Sequence, residues 1–495
     1  MYKFVSKKNI LIALALICIF GVVQSYSQDK LEQGIAAVKQ GDYITAVGLL
    51  KSAVGTDQNS YNANLYYGIA LQKTGSLAEA EKYLNNAVGI DNERPEAYEI
   101  LGEVYSEQKK YDDAASKFAE AKKFLPLNKT AEDLDKSEIS LIVEILSQEA
   151  DNSIAAGKVD KAIASLTQAK TYDINNPLIY VGLGDAYLVR GALEPAVNNY
   201  KLALNKMHNF APAYYGLGMV AYKQKKYNDA LDFYSKAISA DNQYANAYFE
   251  KGLILYLADD YNSALDAFKK YAELRPGSTR GETYYAKTYY AMGKLDSAMT
   301  LLDEVLKTDP SSSEANKYKA YIYIEKKDYD QAQAYFDKIK PEDFNSEDYT
   351  KYAKIFVDQK EFTKAYTYFN KAIALDSTDE NAYFEYGKAL FSDQKYNDAL
   401  TRIDKSLALG IKNLGVYVYE GLCYYYLQNY DQALVPLQKS VEIDPSFAYS
   451  YLWIGNCYAA MGKRPEAIAA YQKVLEIQPD NQDAKDQLAK LQGKQ

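Results

Sequence analysis

A chain of 495 residues with 48% hydrophobic and 25% charged residues reads as an ordered protein, neither disordered nor membrane-embedded through most of its length. Its formal charge of −9 weighs against nucleic-acid partners, because an acidic surface repels phosphate. Tyrosine is the outlier, 50 against 16 Phe and one Trp, and a phenol suits the half-buried positions of a thin layered structure.

The first element in chain order is an export signal over 1–27. Lys3, Lys7 and Lys8 precede an apolar run over 10–23, and the small residues Ser25 and Ser27 follow it, the pattern of a secretory signal peptide cleaved before Gln28. The run is short for a bilayer span. Cys18 follows Ile17 inside that run, where lipid attachment would require a small residue, so no lipidation is expected. No second long apolar run occurs, so no stable membrane insertion is expected after cleavage. The signal predicts an exported protein, periplasmic or envelope-associated.

Downstream, the sequence repeats itself. Alanines stand at 46, 80, 114, 162, 196, 230, 264, 298, 332, 365, 399, 433 and 467, mostly 34 residues apart, with one interval of 33 and one of 48. Twelve residues before each stands another small residue, from Gly34, Gly68 and Gly102 through Ala150 and Gly184 to Gly455. Two antiparallel helices approach closely where facing side chains are small. Large apolar residues surround these positions at helical spacing: Tyr180, Leu183 and Tyr187 share one stripe with Gly184, and Ala196, Tyr200 and Ala203 face it. Short polar turns separate the helices, and prolines such as Pro95, Pro177 and Pro310 fall at the junctions between units.

The segments 213–243 and 448–481 carry this pattern in full, and on them the chain resembles the tetratricopeptide-repeat (TPR) family. The resemblance implies an all-α, right-handed superhelical solenoid of about thirteen helix-turn-helix units with a C-terminal capping helix. Repeats 1–3 occupy 28–128, an insertion or extended helix 129–142, repeats 4–13 143–481, and the capping helix 482–495. Thr130 and Asp133 form a capping-box pattern that predicts an early helix start into repeat 4. Pro436 falls inside a second helix, where a kink is expected. Pentatricopeptide arrays are the nearest rival, but their partner is RNA, which the acidic charge disfavours.

Catalytic patterns are missing from the sequence. His208 is the one histidine and falls in a turn, so neither a metal cluster nor a histidine-based triad is expected. There is no HExxH and no phosphate-binding glycine loop. No enzyme activity, cofactor or metal is predicted. After the signal, Cys423 and Cys457 occupy equivalent positions of neighbouring repeats. Equivalent atoms of stacked helices lie about 10 Å apart, beyond disulfide reach, so two buried thiols are expected.

The resemblance places the first helices on a concave face, where their second, fifth, ninth and twelfth residues form a stripe. Along it run acids (Glu96, Glu99, Glu103, Glu144, Asp151, Asp185), then Tyr215, Met219, Tyr222, Phe249, Leu253 and Tyr256 with Tyr290 and Tyr321 beyond, then Arg280, Lys287, Lys317, Lys354 and Lys388. The aromatic zone is the candidate partner-binding site, set against its burial as ordinary core. The basic zone has Glu314, Glu325, Glu347 and Asp358 interleaved to neutralise it. The carboxylate clamp of chaperone-binding relatives wants a lysine followed four residues later by asparagine, and Lys317 is followed by Tyr321. Two functions are expected: a non-catalytic envelope scaffold holding a protein or peptide in its groove, or a structural subunit of an envelope or secretion assembly organising partners by its convex face and ends.

Overall fold

The computed structural model describes residues 28–493, so the export signal and Cys18 lie outside the described residues. Among those described, all regular structure is helical, 27 α-helices and two 3-10 turns with no strand. The chain forms two compact units, one up to Ala258 and one from Asp259 on.

In the first unit, helix 28–39 precedes Tyr43–Thr56. Four further pairs are Tyr61–Lys73 with Leu77–Ile90, Pro95–Glu107 with Tyr111–Lys122, Lys136–Ala155 with Val159–Tyr172, and Pro177–Arg190 with Leu193–Lys206. Ala211–Lys223, Tyr227–Ala240 and Ala245–Leu257 complete it. The second unit opens with Tyr261–Leu274 and continues through six pairs, from Thr279–Ala291 with Leu295–Thr308 to Ala448–Ala460 with Arg464–Ile477. In chain order this makes thirteen pairs and a closing helix, Gln482–Gln492, whose Ala484 and Leu488 are buried.

One backbone device recurs at every turn within a pair. The residue ending each first helix adopts the left-handed conformation: Gly41, Gly75, Gly157, Gly191, Gly293 and Gly462 in six repeats, and Lys109, Lys225, Asp259, Lys327, Lys360, Gln394 and Gln428 in seven. The next amide then bonds back to the helix end, as Ala192 N–H does to the Tyr187 carbonyl at 2.9 Å and Lys226 N–H to that of Ala221 at 2.9 Å. Such a closure satisfies carbonyls that the helix leaves open and turns the chain back on itself.

The periodic glycines make room for large side chains. A Cβ added to Gly184 would lie 2.5 Å from the Tyr200 ring, and one on Gly68 would lie 2.6 Å from Leu84. Gly34 with Leu50, Gly102 with Phe118, Gly218 with Tyr234, Gly421 with Leu437 and Gly455 with Tyr471 repeat the arrangement sixteen residues on. The close approach is therefore glycine to a large ring or branched chain, with the periodic alanines, such as Ala196 and Ala230, fully buried beside it. The contact is thus small against large, where the spacing alone predicts small against small.

Two segments break the repeat. Thr130 and Asp133 do form a capping box, but on a 3-10 turn, Ala131–Asp133. The 20-residue helix Lys136–Ala155 starts behind it on a second box, Asp135 with Glu138. In the second unit, helix Tyr329–Phe336 stops after eight residues, and a 3-10 turn at Pro341–Asp343 leads to Ser346–Asp358. Pro436 sits buried within the uninterrupted helix Tyr430–Ile443. Cys423 and Cys457 are buried free thiols, and burial pushes both up to about 12.

Candidate functional site

A cleft of about 440 Å³ opens between two successive first helices of the first unit, Lys136–Ala155 and Pro177–Arg190. Ser140, Glu144, Ser147 and Asp151 recur every three to four residues and so share one face of the long helix. Leu178, Val181 and Asp185 do the same on the opposite wall, while Val143 and Leu166 close the floor. The width of the cleft at Gly182 depends on the missing side chain, since a Cβ there would come 3.1 Å from Leu166 Cδ2. The extra turns of the long helix, set by its Asp135 cap, extend the wall to Ser140.

The cleft is charged in one sense. Burial pushes Asp151 and Asp185 up to about 6, and for Asp185 the Asp151 charge adds to it while a hydrogen bond from Tyr200 Oη at 2.6 Å opposes it. Glu99, on the preceding first helix, is pushed up to about 7 by burial and then by Glu144, Glu103 and Glu96. Among the described residues, Glu96 and Glu103 have cations at the rim, Arg94 at 3.7 Å and Lys73 at 3.6 Å. Among these described residues no ion pair reaches Glu99, Glu144 or Asp151. Glu149 on the other side of the long helix makes the contrast: it is 1% exposed and meets Lys122 and Lys161 at 3.1 Å each and Ser165 Oγ at 2.9 Å. Burial works to raise its pKa, and those three partners hold it below the ordinary carboxylate range.

The aromatic candidates divide between the two units. In the first, Tyr215, Met219, Tyr222, Leu253 and Tyr256 are half-buried, and Phe249 is 1% exposed. Tyr215 packs against Tyr234 and Tyr244, Tyr222 against Tyr227, and Met219 Sδ accepts from Tyr234 Oη at 3.4 Å. In the second unit, Tyr290 lies half-buried against Tyr318, and Tyr321 is buried with its hydroxyl donating to Asp348. Phe249 and Tyr321 offer no open face to a ligand, whereas the half-buried side chains keep part of theirs exposed.

The basic row is neutralised within the second unit. Lys287 pairs with Glu314 at 3.2 Å, and buried Lys317 with Glu314 at 3.1 Å and Asp348 at 2.8 Å. Lys354 and Lys388 both reach Glu385, at 3.4 and 3.0 Å. His208 is exposed after helix Leu193–Lys206, and no cluster of metal-ligating side chains occurs among the described residues. The sequence reading found the acids of the cleft but missed Ser140, Ser147, Leu178 and Val181. Its signal for them was a run of acids on one stripe with no basic counterpart.

Profiles described as tetratricopeptide repeat match 37–102, 255–317 and 289–355, and a second profile of that description matches 211–244 and 448–481. A profile described as TPR repeat matches 421–462, and one for anaphase-promoting complex, cyclosome, subunit 3 matches 325–406. With the TPR-repeat match included, the tetratricopeptide matches together span just over half of the chain. No curated protein matches. Similar solved structures include the APC/C heterotetramer Cut9–Hcn1, at 14% identity and a TM-score of 0.46 over 95% of this chain and 96% of that one. MamA matches at 24% identity and a TM-score of 0.29 over 35% of this chain and 96% of its own. The TPR domain of P58(IPK) matches at 14% identity and a TM-score of 0.32 over 94% and 97%. TM-scores this low carry no argument about function.

Proposed function

We infer, from a chain that belongs to the tetratricopeptide-repeat family, that its work is to hold another protein along the face built by its first helices. The observation that carries this reading is the open cleft between Lys136–Ala155 and Pro177–Arg190, which has an apolar floor and polar walls. A cavity of about 440 Å³ suits a few side chains of an extended segment. The basic start and apolar run of 1–27 support export, so the scaffold is proposed to act in the bacterial envelope. Binding and positioning are its whole proposed activity, with no bond made or broken.

Site-specific photo-crosslinking in the native host tests this. A photoreactive residue at Leu178, 59% exposed on the cleft rim, should capture a discrete partner from the envelope fraction, on protein beginning at Gln28. The same group at Lys201, exposed on the second helix Leu193–Lys206, should capture none. Adducts from Lys201 alone would overturn the first-helix reading and favour a structural subunit that works through its outer face.

A further inference from the structure

We propose that the face formed by repeats 3–5 recognises a lysine- or arginine-bearing segment of its partner, with the cleft between Lys136–Ala155 and Pro177–Arg190 receiving one cationic side chain. The proposal rests on the reading of the first-helix face as the binding face and names the chemistry of what binds there.

Four observations carry it. The cleft walls present Glu144 and Asp151 from one helix and Asp185 from the other, and no lysine or arginine lines it. Elsewhere the molecule brings cations to such carboxylates, two lysines to Glu149 in this unit and two more to Glu314 in the other. Carboxylates gathered on the facing walls of one cleft disfavour one another's charged forms, and a cation placed among them relieves that. The rest of the lining fits the stem of such a side chain: Leu178 at the rim and Val143 and Val181 below it can cover methylene groups while the charged head reaches Asp151 and Asp185.

The fourth observation lies at the far end of the acid row. Gln72 is 3% exposed and donates its side-chain amide to Glu103 at 2.8 Å and Glu107 at 2.7 Å, leaving its Oε1 with no donor. Turning the amide over would set that oxygen against two carboxylates, so the surrounding charge fixes the orientation and leaves a buried acceptor unsatisfied. A face rich in acceptors and short of donors is complementary to ammonium and guanidinium groups, which carry donors only. The row runs from Glu99 and Glu103 on one first helix to Asp185 two repeats on, and the cleft exceeds the size of one side chain. A polypeptide presenting more than one cation fits that extent.

The test uses the whole mature chain and a fluorescein-labelled decapeptide carrying two arginines, beside the same peptide with citrulline at both positions. Citrulline keeps the shape and removes the charge. At physiological salt, where attraction beyond about 8 Å is screened, anisotropy should show the arginine peptide binding about tenfold more tightly, the ratio equivalent to about 1.4 kcal/mol. Asp151→Asn and Glu144→Gln should each weaken it several-fold without lowering the melting temperature, since both side chains are exposed and, among the described residues, without an ion pair. Equal binding of the two peptides overturns the proposal, as does full affinity in Asp151→Asn. Spermidine displacing the peptide at equal concentration would also overturn it, by showing that a free amine satisfies the site. Should these fail while Leu178 still captures a partner, the face binds protein of another chemistry and only the present proposal falls.

Discussion

Tyr200 shows how one side chain can hold two repeats. Its ring is fully buried, lies under Gly184 of its own repeat, and meets the next repeat at Gly216, where an added Cβ would stand 2.2 Å away. Its hydroxyl is anchored on Asp185 at 2.6 Å, so the ring cannot swing aside without losing that bond. Gly216→Ala should therefore destabilise the first unit even though alanine is the better helix former by about 1 kcal/mol. Overpacking costs about 1–3 kcal/mol, and urea denaturation should show a net loss, with a gain refuting the packing argument. Gly184 was legible in the sequence because it keeps the period of the small residues. Gly216 breaks that period, and its reason appears only when the neighbouring repeat is stacked on it. The aromatic stripe was legible as a stripe for the same reason. That Phe249 and Tyr321 are buried depends on how tightly successive helices close, which spacing along one chain does not specify.

At the scale of the helix pair, the turn is the most regular part of the molecule and the part the sequence disguised. All thirteen turns place one residue in the left-handed region, yet seven fill the position with lysine, glutamine or aspartate. For such residues that conformation costs about 1–2 kcal/mol, whereas glycine gives back about 0.5–1 kcal/mol through the freedom it adds to the unfolded chain. Lys225→Gly and Lys360→Gly should each stabilise by about 0.5–1 kcal/mol, and the gains should add because the sites are far apart. The reverse change, Gly41→Ala, has open space around the new methyl group, so its expected loss is backbone strain alone. Thermal melting of the three variants checks the argument: Lys225→Gly melting below the parent would sink it. The irregular elements were harder to foresee. Thr130 and Asp133 announced a cap, but a second acid pair three residues apart, Asp135 and Glu138, won the long helix because its box lies next to the first apolar turn.

Over the whole molecule, the acid excess of the sequence is unevenly matched with cations, and that imbalance should appear in the pH dependence of stability. Glu99, Asp151 and Asp185 have folded pKa values of about 7, 6 and 6, above the unfolded carboxylate range of about 4. For a carboxylate raised on folding, the folded state holds a proton that the unfolded state has already released. Stability therefore falls as pH rises from the unfolded value through the folded one, and returns on acidification. Glu149, held low, contributes stability above its unfolded pKa and loses it only as pH falls through its folded value, below that window. Between about pH 7.5 and about pH 5.5 the raised acids decide the sign, so the melting temperature should climb as the solution is acidified. Water around exposed Asp151 reduces its share, and a rise of about 2–4 °C corresponds to about 1 kcal/mol in a unit of this size. Acidification also brings the chain towards its isoelectric point near 5.1, which relieves general self-repulsion in the same direction. Substitution separates the two causes. Glu99→Gln and Asp151→Asn together should raise the melting temperature at about pH 7.5 and flatten its climb, because the amides carry no charge to suppress. A climb of unchanged steepness in that double variant would assign the effect to net charge, and the first-helix acids would then be ordinary solvated groups.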